Sequence, residues 1–351
     1  MLDRIRAEIA AHGPMPFDRF MELALYDPEG GYFAAASTLR SSTGGDFLTS
    51  PEVSPLFGST LARFVEAEGD RVGLPLTLIE AGSGSGSLLR PLLDALTEPP
   101  DAVYAVEVSP AASSRIAAMV PECIVVESLA EIPRAGSAIV IANELVDNLP
   151  AAVAVRRDEG WREKIVVLAG GVLALDERPA RSEVASWSEA FSGRVPEGAI
   201  VEVQLEAGAW LTDALALFDS GAVVVIDYGD TAAGLEHRRA QGTLRTYRSH
   251  HLGPDPLLTP GETDITMDVN FTALAAAAEA AGAVVTLDRQ DEFLARWGLR
   301  DALSDLRASE LEAARAGSTM ERLRLRSRVT DAQTLLHPRG LGDFRVLAAR
   351  R

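Results

Sequence analysis

Cysteine is nearly missing from this sequence, which closes off two classes of protein. The single thiol, Cys123, excludes an intrachain disulfide and any multi-cysteine metal site. The five histidines, His12, His237, His250, His251 and His337, never fall in an HExxH spacing, so no metal site is expected. Basic residues are also scarce: 33 Lys+Arg stand against 51 Asp+Glu, giving a net charge of −18 and a pI of about 4.7. That balance argues against a general binder of nucleic-acid backbones. It suits a basic protein substrate and equally suits plain solubility. No stretch approaches the ~18 uninterrupted apolar residues of a membrane span, and the first residues, MLDRIRAEIAAHGP, lack an apolar core of the signal-peptide kind. The expectation is a soluble, cytoplasmic protein without membrane insertion.

The content that remains is that of a folded chain: 351 residues, 47% of them hydrophobic, enough for one large domain or two smaller ones. Its organising stretch is residues 77–90, TLIEAGSGSGSLLR. An apolar run ends in an acid, opens into Gly82, Gly84 and Gly86, and resumes with Leu88, Leu89, Leu92 and Leu93 at helical spacing. This pattern predicts strand, tight turn and helix, with bare backbone able to approach a ligand closely. A dinucleotide fingerprint reads GxGxxG; this turn reads GxGxG, with Ser87 where the third dinucleotide glycine would fall. The spacing therefore points away from NAD and toward S-adenosylmethionine (SAM). Glu80 is placed to receive an ammonium group, and Glu107, 21 residues after Gly86, to accept the hydroxyls of a ribose. The alternative is an ordinary flexible loop beside acids that cap helices.

Further along, Leu2, Ile5 and Ile9 predict a short helix, and Phe17, Phe20, Met21 and Leu25 a second. Residues 42–58, STGGDFLTSPEVSPLFG, set Asp46, Thr49 and Ser50 behind two glycines, as in a lid beside a cofactor. Capping of turns is the competing role. Residues 123–128 predict a third strand. Residues 137–150, SAIVIANELVDNLP, predict a fourth that breaks into Asn143, Glu144, Asp147 and Asn148. Ligands of open parallel sheets sit outside such strand ends, so these residues are site candidates as well as candidate caps.

Residues 161–175 read as two short strands about Gly170-Gly171 followed by a polar, turn-rich stretch, within an insertion over 151–200 that widens the substrate side. Residues 201–218 read as mainly helical, and residues 221–230 as a strand with Asp227 and Tyr228 at its carboxyl end. Residues 242–266 read as a long polar connection without secondary structure, carrying Arg245, Tyr247, Arg248, His250 and His251. After a helix over 271–281, strands over 283–290 and 343–350 flank a charge-rich helical stretch, the pattern of a closing antiparallel hairpin.

Together these residues resemble the MidA-like SAM-dependent methyltransferases. The match runs nearly end to end: GPMPFDRFMELALYDPEGGYF (13–33), GGDFLTSPEVSPLFG (44–58), the glycine turn, NELVDNLP (143–150), IDYG (226–229), GTLRTYRSHH (242–251) and PGETDITMDVNF (260–271). The resemblance implies an α/β, class I (Rossmann-like) methyltransferase fold with a seven-stranded, mostly parallel sheet. It divides the chain into a helical and lid extension over 1–58 and a methyltransferase domain over 59–351, with the insertion after strand four at about 151–200. SAM is implied over the glycine turn, held by Asp46, Thr49, Ser50, Glu80, Gly82, Gly84, Gly86, Glu107 and Asn143. Mitochondrial members of the family assist assembly of respiratory complex I and look like protein arginine methyltransferases, so a protein substrate is implied and a homo-oligomer stays open.

A guanidinium is always charged and a poor nucleophile. Carboxylates beside it localise charge on the distal nitrogens and free the attacking one. Glu144 and Asp147 are the candidate catalytic acids, with Asn143 orienting and Asp227 in reserve. One departure stands out: family turns read close to GPGRG, whereas Ser83 and Ser85 here replace the proline and the arginine. The glycines remain, so SAM binding is expected, but any role of that arginine is lost. A small-molecule methyltransferase and a non-catalytic SAM-binding assembly scaffold are the alternatives.

Overall fold

The computed structural model describes residues 1–35, 49–248 and 251–351. Seven strands, numbered in chain order, build the central sheet: β1 (Leu76–Ala81), β2 (Ala102–Val106), β3 (Ile124–Val126), β4 (Ala135–Asn143), β5 (Phe218–Asp227), β6 (Val284–Arg289) and β7 (Arg345–Arg350). The sequences of β4 and β5 are near-continuous apolar runs, stable only with both faces covered, and these strands lie in the middle. The order is β6-β7-β5-β4-β1-β2-β3. Strands β1 to β5 pair in parallel, and β7 runs antiparallel between β5 and β6, which is the closing hairpin the sequence pattern predicts. Alternate residues of β4 enter different apolar clusters, Ile139 and Ile141 with Phe64 and Leu92, Ala138 and Val140 with Leu211 and Phe271, so each face has its own core.

The strand order reverses between β1 and β4, and the crevice outside their carboxyl ends is where open parallel sheets bind ligands. Register places the strand exits together: Ala81 pairs with Ala142, and Asn143 with Ile226. The glycine turn, the Asn143-Glu144 exit and Asp227 therefore leave the sheet along one edge.

Beside this sheet stands a second one, whose strands Ala152–Arg157, Gly160–Ala169, Val172–Pro179 and Ile200–Val203 come from the region after β4. The N-terminal pair Met15–Pro16 adds to it, and helices Leu2–His12 and Phe17–Tyr26 cover it through Ile5, Phe20 and Met21 against Val153, Val166 and Leu173.

Three stretches differ from the sequence reading. The polar stretch after residue 175 contains a helix, Ser182–Phe191, whose Val184, Trp187 and Phe191 recur on one face among serines and acids. Residues 201–218 are not helical from the start: Ile200–Val203 is a strand, and the helix is Leu205–Ala216. The connection over 242–266 is structured as well, with Arg245–Arg248 pairing to both His251–Leu252 and Asp264–Thr266. Among the described residues no helix is long and apolar enough to cross a membrane.

Candidate active site

The turn after β1 owes its shape to glycine φ angles of +69° at Gly82, +53° at Gly84 and +75° at Gly86, which residues with a Cβ rarely adopt. A Cβ on Gly82 would also lie 3.0 Å from the Leu145 side chain. The turn wraps Glu107, whose Oε2 accepts the Gly84 N–H at 2.7 Å and whose Oε1 accepts the Ser109 N–H at 2.7 Å. Burial pushes this carboxyl up and those N–H groups hold it down. Glu80 is buried one residue before the end of β1, and burial first, then the charge of Glu107, push it up to about 8. Among the described residues its Oε2 has no hydrogen-bond partner, and neither has the buried Asn143 Oδ1. Buried polar atoms left unpaired are costly, so a ligand carrying donors is the natural complement. Glu80, Gly82, Gly84, Glu107 and Asn143 line one cleft with about 840 Å³ of empty space including its mouth. Its acids, orphaned acceptors and bare backbone fit an amino-acid-bearing nucleoside such as SAM.

Glu144 leaves β4 in the left-handed region at φ 52°, the one non-glycine to do so among the described residues. Such a conformation persists only where its surroundings enforce it. Its Oε1 accepts the Ser50 N–H at 3.2 Å and the Asn143 Nδ2 at 3.3 Å. Burial, and next the charge of Asp147, push this carboxyl up to about 8. Glu144 and Asn148 line the cofactor cleft and also a second cleft, walled further by Asp147, Tyr228, Arg245, Asp268 and Phe344. The Oδ2 of Asp147 accepts the Tyr228 hydroxyl and, at 2.6 Å, the Thr266 hydroxyl, while its Oδ1 has no partner among the described residues. Burial raises the Asp147 carboxyl; the hydrogen bonds from Thr266 and Tyr228 and the charge of Arg245 oppose the rise. Two carboxyl groups without an ion-pair partner among the described residues thus stand where the two clefts meet.

The other candidates fall elsewhere. Asp227 lines neither cleft: it is fully buried and accepts N–H groups from Val146 at 3.0 Å, Asp147 at 3.2 Å and Tyr228 at 2.9 Å. A carboxylate committed to three backbone donors cannot also reach a substrate, so its reserve catalytic place is withdrawn; it fixes the turn Val146–Asn148. Thr49 lines the cofactor cleft and forms a capping box with Glu52, whose Oε1 also takes the Ser85 hydroxyl. Ser50 lies behind the wall, its Oγ accepting Gln290 Nε2 at 3.2 Å, and Gly86 packs against Ile116. Asp46, with the rest of residues 36–48, and His250 lie outside the described residues. Sequence reasoning does not single out Tyr26 and Phe33, which close the cofactor cleft from helix Phe17–Tyr26 and its exit, Asp268 in the second cleft, or the buried Thr266 behind Asp147. Their one sequence signal is position: Tyr26 and Phe33 fall in the family-like stretch 13–33, Thr266 and Asp268 in 260–271.

A family model described as S-adenosyl-L-methionine-dependent methyltransferase matches residues 56–288. Among curated proteins, the mitochondrial protein arginine methyltransferase NDUFAF7 of Danio rerio is 29% identical over 317 residues, 78% of this chain and 71% of that protein. The human protein of the same name is 28% identical over 335 residues, 85% of this chain and 73% of its own. The crystal structure of a COG1565 superfamily member from Burkholderia thailandensis, bound to S-adenosyl-homocysteine, is 30% identical with a TM-score of 0.87, covering 100% of this chain and 91% of that one. With the glycine turn, the two acids beside it and this end-to-end correspondence in sequence and fold, the chain belongs to the MidA-like family of SAM-dependent methyltransferases.

Proposed function

We propose that this methyltransferase acts on an arginine side chain of a protein, the acceptor guanidinium entering the second cleft and meeting Glu144 and Asp147. The observation that carries the reading is that carboxyl pair, buried at the junction of the clefts, with the Asp147 Oδ1 unpaired among the described residues. Buried acids without a counter-ion are stabilised by an incoming cation. A guanidinium offers the matching fork of N–H donors, which carboxylates bind in two-point fashion. The relatives named protein arginine methyltransferases support the same acceptor, and the family resemblance makes a respiratory-complex subunit the first protein to examine.

SAM supplies an electrophilic methyl group when bound. Glu80 would hold its ammonium, Glu107 its ribose hydroxyls, and Asn143 a further donor. Glu144 and Asp147 hold the acceptor in line with the methyl group, concentrate positive charge on the distal nitrogens and receive the proton that the attacking nitrogen gives up. Alignment and exclusion of water account for most of the rate in such displacements.

The test is transfer of radiolabel from SAM into cell-extract proteins by the native chain and by Glu144→Gln and Asp147→Asn. Label in a protein band that falls roughly 100-fold in either variant, at unchanged SAM affinity, supports the reading. Label in the small-molecule fraction instead, or full transfer by both variants, refutes it.

A further inference from the structure

Asp147 is held from several directions at once. Its N–H donates to Asp227 Oδ2 at 3.2 Å, its carbonyl accepts the Met267 N–H at 3.1 Å, and its Oδ2 accepts the hydroxyls of Tyr228 and Thr266. Tyr228 is clamped in turn. The guanidinium carbon of Arg245 lies 5.4 Å from its ring centroid, and Phe344 packs edge-on with centroids 5.6 Å apart. Arg245 is paired with Asp268, whose second oxygen holds Arg238 at 2.7 Å. Asp227 alone would anchor the turn, so two further hydroxyls on one oxygen of Asp147 exceed what the backbone needs. Their effect is to leave one atom, the buried Oδ1, without a hydrogen-bond partner among the described residues, on a residue that lines the second cleft.

We infer that Tyr228 and Thr266 are positioning residues of the transfer reaction, holding Asp147 by Oδ2 so that Oδ1 faces the acceptor guanidinium. The inference rests on the reading of the second cleft given above. It also accounts for the run Arg238–Asp268–Arg245–Tyr228, which has no direct part in the chemistry: these residues keep the tyrosine hydroxyl in place. The groups facing Asp147 are Glu144 and Asp227, Tyr26 from the N-terminal helix, Arg245, Tyr228 and, along the same cleft, Asp264. Removing a hydroxyl from Oδ2 removes a donor that favours the ionised form. Asp147 then takes up its proton at a higher pH, and binding of a cation fails at a higher pH.

The experiment is calorimetric titration of methylguanidinium into the whole chain saturated with S-adenosyl-homocysteine, from about pH 5 to about pH 9, a span that covers carboxyl groups raised by burial. Wild type is expected to bind more weakly as pH falls. Tyr228→Phe and Thr266→Val move that acid limb up by about one unit, which is ~10-fold weaker binding at its foot. Affinity for S-adenosyl-homocysteine stays as in wild type, which reports an intact fold, and Thr266→Ser restores the wild-type limb. If Tyr228→Phe does not fold, the Thr266 pair carries the test. Wild-type limbs in both hydroxyl variants, with binding abolished in Asp147→Asn, overturn this inference and leave the reading of the cleft standing. Binding that is equal in wild type and Asp147→Asn overturns both.

Discussion

At the scale of single residues, Glu80 shows how a cofactor cleft holds a proton that a cationic ligand displaces. Burial and the neighbouring Glu107 lift its carboxyl to about 8, from an ordinary value of 4.5. Because the folded value is the higher one, the stability Glu80 allows is full below the ordinary value and is lost as pH rises toward and through about 8. Thermal melts of the ligand-free protein should therefore fall over that window, and Glu80→Gln should flatten the fall. A ligand ammonium reverses the preference and demands the carboxylate. Near neutral pH, binding of S-adenosyl-homocysteine should release close to one proton, read from calorimetry in buffers of different ionisation enthalpy. Glu80→Gln should lose the release and bind roughly 10-fold more weakly, the size of a charge-assisted hydrogen bond. An unchanged proton count in the variant would show that Glu80 does not meet the ammonium.

Among the elements, the strands and helices were legible where one periodicity dominates. β4 and β5 announce themselves as apolar runs, and GSGSG between an apolar run and a leucine helix has few other readings. The second sheet was harder: Met15 meets Val166 and Pro16 meets Ile165, far apart along the chain, a pairing that no local pattern encodes. The strand Ile200–Val203 was masked by the helix that starts two residues later, since an apolar run beside a helical one extends its apparent period. At the site, Glu80, Glu107 and Glu144 could be placed because strand ends in a parallel sheet share one edge. Asp227 stands at the same edge yet points inward, because a side chain at a strand end turns toward the nearest unpaired donors, here the N–H groups of the turn Val146–Asn148 that follows the neighbouring strand β4. That turn is where Asp227→Asn should act. The amide brings an NH₂ against backbone N–H groups, so unfolding free energy should drop by roughly 1–3 kcal/mol. Turnover should fall with it while affinity for S-adenosyl-homocysteine holds; normal turnover would mean that the turn keeps its shape without the carboxylate.

For the molecule as a whole, the cofactor cleft is shared between its two sheets. Glu80, Gly82 and Asn143 belong to the central sheet and its exits, whereas Tyr26 and Phe33 come from the N-terminal segment that packs on the second sheet. Tyr26 also ties the two together directly, its hydroxyl donating to the Asn148 carbonyl at 3.3 Å. A ligand in this cleft therefore touches both layers and favours the state in which they are docked. Ligand at 100 times its dissociation constant adds about 2.7 kcal/mol to the bound fold. For a chain of this length that is a rise of roughly 4 °C in melting temperature. S-adenosyl-homocysteine should produce that rise in a single sharpened transition, since undocking either layer releases the ligand, and NADH should produce none. Tyr26→Ala tests the sharing: it removes wall from one layer only, so it should weaken the ligand-induced rise and split the transition. A full rise and a single transition in that variant would confine the ligand to the central sheet.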